Sequence, residues 1–279
     1  MALNHIKNRF IDIKRKLKRR QVLESGDSVY VLREVQNSTM LLNINDLGIS
    51  LTLASEGIRE SQATTVYQQQ LRRLSRLTDS PIILDIGANI GYYALMVPAT
   101  IDESHTIAIE PESSNIDILR KNININNYQD QCTIRQHAVG ANVDKTDLYL
   151  SQRSNTHTLK PAVSYVDTVD VSVKPISVVL EEENIGAEEI NVVRMDIEGY
   201  EAAAFAGMRS VLNSDSPLII NVEIHVPILN NEEMERILSW LKRDNVTIEF
   251  LKDDSKRIET VEEIPNGRWV HVIASKNMS

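Results

Sequence analysis

The stretch Ile82-Ile83-Leu84-Asp85-Ile86-Gly87-Ala88-Asn89-Ile90-Gly91-Tyr92-Tyr93 reads as a strand, a glycine turn and the start of a helix. The run Ile82–Ile86 has the length and apolar character of a strand buried on both faces. Gly87 and Gly91 allow a tight turn and let a ligand approach the backbone there. A helix N-terminus adds free N–H groups and partial positive charge. Asp85 stands just before them, and its carboxylate would repel a pyrophosphate. A ligand with both an ammonium and a carboxylate suits the pair better, with Asp85 at the cationic end. Asn89 takes the middle glycine position of G-x-G-x-x-G, which disfavours NAD or FAD.

Strands and helices alternate outward from this point. Thr106–Glu110 and Thr133–Val139 read as the next strands, with Ser113–Asn127 as a helix between them. After a longer irregular region, Asn191–Ile197 and Leu218–Ile224 read as strands. Helices Tyr200–Leu212 and Asn231–Lys242 follow them, and Thr247–Lys252 and Arg268–Ala274 close the chain as strands. Such alternation predicts βαβ units and an α/β fold, a mainly parallel seven-stranded sheet flanked by helices. Upstream, Ser28–Arg33, Met40–Ile44 and Ser50–Leu53 read as a small β lead-in. Residues 56–77 read as a helix with Val66, Leu71, Leu74 and Leu77 inward. Two parts are expected: a lead-in over residues 1–79 and a ligand-binding catalytic domain over 80–279.

Several residues stand where an open α/β sheet binds ligands, beyond the carboxyl ends of its strands. Glu110 lies about 20 residues past the glycine turn, the offset of an acidic residue that accepts ribose hydroxyls. Arg194, Asp196 and Glu198 end one later strand, and Glu223 and His225 end the next. Residues two apart share a strand face, so these groups can converge on one pocket. His225 and Asp196 are rival bases for removing a proton from an acceptor, and Glu201 reads as a helix-start carboxylate. Asp196, Glu198, Glu223 and His225 offer oxygen and imidazole donors, but their spacing does not require a metal and none is assigned. The polar loop Ser154–Thr158 is read as lying on the acceptor side.

Four stretches carry a family resemblance: Leu84–Tyr93, Ile109-Glu110-Pro111, Ala138-Val139-Gly140, and Val193-Arg194-Met195-Asp196-Ile197-Glu198-Gly199-Tyr200-Glu201. From about residue 80 to about 225 the chain resembles the S-adenosylmethionine-dependent methyltransferases of Rossmann-like class I fold, and more narrowly the FkbM family. The resemblance implies S-adenosyl-L-methionine as methyl donor. Asp85, Gly87, Asn89, Gly91, Tyr92, Glu110, Pro111, Ala138 and Asp196 would bind it. It implies methyl transfer to a hydroxyl of a sugar, glycan or related small molecule, with Asp196, His225, Glu198, Glu223 and Arg194 around the reacting atoms. The family carries Lys where Arg194 stands, and Leu-Asp where this chain reads Ile176–Leu180.

Composition bounds the alternatives. Of 279 residues, 42% are hydrophobic and 25% charged, ordinary values for a globular chain and far from disordered ones. Cys132 is the lone cysteine, so the chain has no internal disulfide and no cysteine-based zinc site. A reducing, cytoplasmic setting is expected. The net charge of −9 is unevenly spread: residues 1–20 hold eight basic side chains and one acidic one, which leaves −16 on the rest. An acidic body disfavours nucleic acid as a partner, and RNA methylation is the second reading. A non-catalytic protein docking to membrane or partner is the third.

Residues 3–20 read as a basic amphipathic helix striped by Leu3, Ile6, Phe10, Ile13 and Leu17. Such a stripe packs on a protein surface or lies on an anionic membrane, here the inner face.

Overall fold

In this computed structural model, residues 22–25, 28–161, 165–253, 260, 263–264 and 269–278 are described. The helix expected over residues 3–20 lies outside them. The chain opens with an antiparallel meander, β1 (Val22–Ser25), β2 (Ser28–Val35) and β3 (Ser38–Asn43). Gln36 and Asn37, both at positive φ (49° and 66°), make the tight β2–β3 turn. Helices α1 (Ile49–Glu56) and α2 (Ser61–Leu74) follow.

The α/β part then runs β4 (Ile82–Ile86), α3 (Tyr92–Met96), β5 (His105–Ile109), α4 (Ser113–Ile125) and β6 (Cys132–Arg135). After a side sheet come α5 (Ile176–Glu183), β10 (Ile190–Met195), α6 (Glu201–Gly207) and α7 (Arg209–Asn213). The chain ends on β11 (Leu218–His225), α8 (Asn231–Leu241), β12 (Val246–Asp253) and β13 (Trp269–Lys276). Among the described residues the main sheet has seven strands in the order β12-β13-β11-β10-β4-β5-β6. Strands β4, β5, β6, β10 and β11 are parallel, and β13 runs antiparallel to β11 and β12. This is the Rossmann-like class I arrangement. Strand order reverses between β4 and β10, the crevice where open α/β sheets bind ligands.

Alternate residues of the central strands face opposite layers. Ile83, Val192 and Ile219 pack with Met40, Leu53, Tyr67, Leu71 and Leu74, so the lead-in shares one core with the sheet. Leu84, Val193 and Ile220 pack with Val179, Phe205 and Trp240 on the other face. No helix among the described residues is long and apolar enough to cross a membrane.

Several local expectations are corrected. Ser50–Leu53 is helix, not strand. Ile49, Leu53 and Ala54 bury one helical face, the Asp46 carboxylate accepts from Gly48 N at 2.9 Å, and Gly57 closes the helix at φ 75°. The alternation Ser50-Leu51-Thr52-Leu53 fits a short strand, while Ile49, Leu53 and Ala54 fit a helical face, and tertiary burial decided between them. Leu77 is 48% exposed because α2 stops at Leu74.

Thr133–Val139 is two strands: β6 ends at Arg135, and β7 (Ala138–Val139) joins β9 (Asp167–Lys174) and β8 (Asp144–Leu150) in a separate three-stranded sheet. The helix after β10 breaks at Met208 into α6 and α7. Strands β8 and β9 fall in the region read as irregular, although Val169, Val171 and Val173 alternate along β9 and the last two are buried with Leu148 of β8, a period-two signal in the sequence.

Candidate functional site

The turn after β4 is built by residues in left-handed conformations. Gly87 (φ 76°), Asn89 (φ 51°) and Gly91 (φ 96°) alternate along it. Gly87 N and Ala88 N both donate to Ile109 O, at 2.9 and 3.0 Å, which ties the turn to β5. A Cβ on Gly87 would stand 2.1 Å from the Asp196 carbonyl oxygen. Glycine is therefore what lets the ends of β4 and β10 meet. Gly87→Ala is expected to cost more than about 2 kcal/mol, from backbone strain plus a clash with main chain. Urea unfolding checks this, and a variant within about 0.5 kcal/mol of the parent would contradict the packing.

A cavity opens beside this turn. Of the residues expected to bind a ligand, Gly87, Asn89, Tyr92, Glu110, Pro111, Ala138 and Asp196 line it, as do Arg194 and Glu198. Gly91 does not: it starts α3 and packs toward Leu119. Asp85 is also off the wall, 1% exposed behind it, with Oδ1 at 3.5 Å from Arg194 Nη1. Burial pushes its carboxyl up to about 6 against the pull of Arg194.

Glu110 is 5% exposed and accepts from Asn89 N at 2.9 Å, Glu112 N at 3.1 Å and Asn115 Nδ2 at 3.2 Å. Burial outweighs these bonds and pushes the carboxyl up to about 7. The loop Ser154–Thr158 borders the cavity from the Asn89 and Asn115 side to Glu198, whose carbonyl accepts from Thr158 Oγ1 at 2.7 Å. Asn89 Nδ2 donates to Ser154 O at 2.8 Å, and Ser154, Asn155 and His157 line the cavity. Asn155 Oδ1 and His137 Nε2, both of cavity-lining residues, are buried without a partner. A base-like ring with hydrogen-bond donors and acceptors would meet them there.

Charged groups dominate the other end. The Arg194 guanidinium donates to Gly87 O at 2.9 Å and to Asp196 Oδ2 at 3.0 Å, and lies 4.2 Å over the Tyr93 ring. A planar fork makes all three contacts at once, which a lysine ammonium could not. Arg59, from the turn between α1 and α2, reaches the same carboxylate, its Nη2 at 3.3 Å from Asp196 Oδ2 and 3.5 Å from Glu223 Oε2. Burial opposes its charge, but Glu60, Asp196 and Glu223 raise its pKa above the ordinary arginine value. Burial likewise pushes the Glu223 carboxyl up to about 8, helped by Asp196 and Glu60.

His225 is 1% exposed and lines neither cavity. Its Nδ1 is 2.7 Å from Glu201 Oε1 and its Nε2 is 3.1 Å from Glu198 Oε2. Burial works against a charged ring, but these two bonds raise its pKa well above the usual value. A histidine with both nitrogens engaged is not placed to take an acceptor's proton, which corrects its assignment as a base. Glu201 begins α6, as expected of a helix-start carboxylate, and is at the same time the buried partner of His225.

A second cavity, of about 500 Å³, lies on the far side of Arg59. Glu223, Glu60, His271, Lys252, Phe250 and Trp269 line it, and Arg59 belongs to both cavities. Sequence reasoning missed Arg59, Glu60, Trp269 and His271. Arg59 and Glu60 sit in a turn with no motif. Trp269 and His271 could have been found, because residues two apart on a strand beside β11 share a face with Glu223 and His225.

The family model "Methyltransferase FkbM domain" matches residues 85–247. Methyltransferase sdnD of Sordaria araneosa is 24% identical over 171 residues, which span 51% of this chain and 66% of that protein. Among solved structures, M. jannaschii TYW2 in complex with AdoMet aligns with TM-score 0.45 and 13% identity, over 91% of this chain and 88% of its own. The O-methyltransferase from Bacillus cereus in complex with SAH aligns with TM-score 0.45 and 13% identity, over 81% and 95%. Likenesses this distant say nothing of the acceptor.

Proposed function

The chain belongs to the FkbM methyltransferase family, and from that premise we propose that it transfers the methyl group of S-adenosyl-L-methionine to a hydroxyl oxygen of a sugar, glycan or related small molecule. One observation carries the reading. A ribose-type acidic residue, Glu110, and a carboxylate with an unpartnered buried oxygen, Asp196 Oδ1, line one cavity from beyond β5 and β10, the strands on either side of β4. Arg59 lines both this cavity and the second one.

The first cavity suits the donor. Glu110 accepts the ribose hydroxyls, and the orphaned Asn155 Oδ1 and His137 Nε2 receive the base. Bound S-adenosylmethionine supplies a methyl on a sulfonium, an electrophile already activated. The protein's tasks are alignment and removal of the hydroxyl proton. Arg59 and Arg194 hold the Asp196 carboxylate rigidly by Oδ2, which leaves Oδ1 to orient the hydroxyl. The acceptor enters through the second cavity, where Trp269 is 44% exposed among carboxylates, lysine and histidine. An aromatic face beside polar groups suits a hydroxylated ring. Location on the cytoplasmic side, peripheral at the inner membrane face, is proposed on the basic stripe of residues 3–20. Flotation of the full chain and of a chain starting at residue 21 with anionic vesicles tests this, and equal flotation would remove it.

The Glu110 carboxyl gives a pH signature. Empty, it titrates at about 7 because it is buried. Ribose hydroxyls donate to its charged form, so donor binding lowers that value and releases a proton. Donor affinity is therefore expected to rise with pH through 7 and to weaken by up to about tenfold per unit below it. Calorimetry from pH 6 to 8 checks this, with Glu110→Gln as the variant that flattens the profile. An affinity that strengthens on acidification would refute the assignment.

A further inference from the structure

Beyond the ends of β10 and β11, Asp196, Glu198 and His225 each offer one donor atom, and the three atoms lie within 4.8 Å of one another. Glu201 is fully buried, and its Oε1 at 2.7 Å fixes His225 Nδ1–H as a donor to it. A carboxylate behind one ring nitrogen is the arrangement that orients a metal-binding histidine. The other nitrogen, Nε2, then presents its lone pair to Glu198 Oε2 at 3.1 Å. Two electron pairs that close require a positive charge between them, either a proton or a cation.

The two differ in what they leave over. A proton on Nε2 serves Glu198 alone. It leaves Asp196 Oδ1 buried and without a partner, on a side chain only 8% exposed. A cation in the triangle serves all three atoms. The charge balance favours it too: Glu60, Asp85, Asp196 and Glu223 share the guanidiniums of Arg59 and Arg194, and among the described ion pairs His225 is the one basic group within 4 Å of Glu198 and Glu201.

We propose that Asp196 Oδ1, Glu198 and His225 Nε2 bind a divalent cation whose open positions take the acceptor hydroxyl. The inference rests on the methyl-transfer reading for its role, but not for its existence. Two oxygens and one imidazole suit Mg²⁺ or Mn²⁺ and other first-row ions. Asp196 and Glu198 line the first cavity, so a cation they held would lie at the cavity assigned to the donor. Coordination makes the hydroxyl more acidic. Its proton would pass to solvent and its oxygen would form a bond to the methyl carbon. The carbon–sulfur bond breaks with its electrons on sulfur, and nothing is oxidised or reduced.

The test is Mn²⁺ binding to chelator-washed full-length protein without donor, followed by electron paramagnetic resonance and calorimetry. The expected result is one Mn²⁺ per chain with a Kd below about 1 mM, in the range of modest carboxylate sites. The isosteric variants Glu198→Gln and Asp196→Asn should each weaken it more than about tenfold. Both keep the size of the parent residue, and thermal melts identify a variant that has not folded, in which case the other decides. No binding by the parent protein, or equal binding by both folded variants, overturns the site. Methyl transfer that proceeds fully in excess chelator overturns its role while leaving the methyltransferase reading intact. Mn²⁺ binding at the triad without methyl transfer to any hydroxyl does the reverse.

Discussion

Asp196→Asn is expected to lower the rate of methyl transfer by about a thousandfold while weakening donor affinity by no more than about tenfold. The variant keeps the side chain's size and removes its charge. In the parent chain Oδ2 accepts from Arg194 at 3.0 Å and Arg59 at 3.3 Å, and Oδ1 is bare. An amide nitrogen at either position faces trouble. Turned toward the guanidiniums it opposes donors with a donor, and turned toward Oδ1's place it cannot hold a hydroxyl's hydrogen or a cation. The loss should therefore fall on turnover rather than on saturation by the donor. Single-turnover rates and calorimetry separate the two. A rate within about tenfold of the parent would show that Asp196 is a wall residue and not part of the chemistry.

Arg59→Ala is the second large effect, and it acts from outside the matched family region of residues 85–247. Arg59 is the cation shared by Glu60, Asp196 and Glu223, and its side chain is 16% exposed. Removing one partner from a buried charged group leaves carboxylates facing each other with less compensation. About 2–4 kcal/mol of stability should go, somewhat less than for a fully enclosed pair because the site opens to solvent. Turnover should fall at least about a hundredfold, since Asp196 loses one of its two anchors. Denaturant unfolding and steady-state rates check both halves. Arg59→Lys should recover stability better than rate, because an ammonium keeps the charge but not the planar fork. An Arg59→Ala chain as active and as stable as the parent would mean that the lead-in only supports the sheet.

Legibility in the sequence followed the range of the interaction. The strand Ile82–Ile86, its glycine turn and the placement of Glu110 were readable because each is set by residues near it in the chain. The seven-stranded sheet was readable from alternation alone. What was hidden depends on distant partners. Ser50–Leu53 fits either periodicity, and only packing of Leu53 and Ala54 into the shared core makes it helix. Asp196 was legible as a strand-end carboxylate, but its clamp by Arg59 joins positions 137 residues apart. His225 was legible as a titratable group, yet its part in the site is set by Glu198, in the turn after β10, and Glu201, at the start of α6. Glu198 itself sits at φ 51° with Gly199 at 98° behind it, a backbone that no residue-type pattern announces. Arg194 shows the opposite case. Its departure from the family's lysine is explained once the Tyr93 ring and the Gly87 carbonyl are seen beside it.

The direct test of methyl transfer to a hydroxyl incubates the full chain with S-adenosylmethionine labelled in its methyl group, against a glycan and lipid-linked glycan extract and, separately, RNA. The expected result is label in the glycan fraction, recovered as a methyl ether on a sugar hydroxyl and lost with Asp196→Asn. Label in RNA alone, or a protein that binds neither S-adenosylmethionine nor S-adenosylhomocysteine, would contradict it.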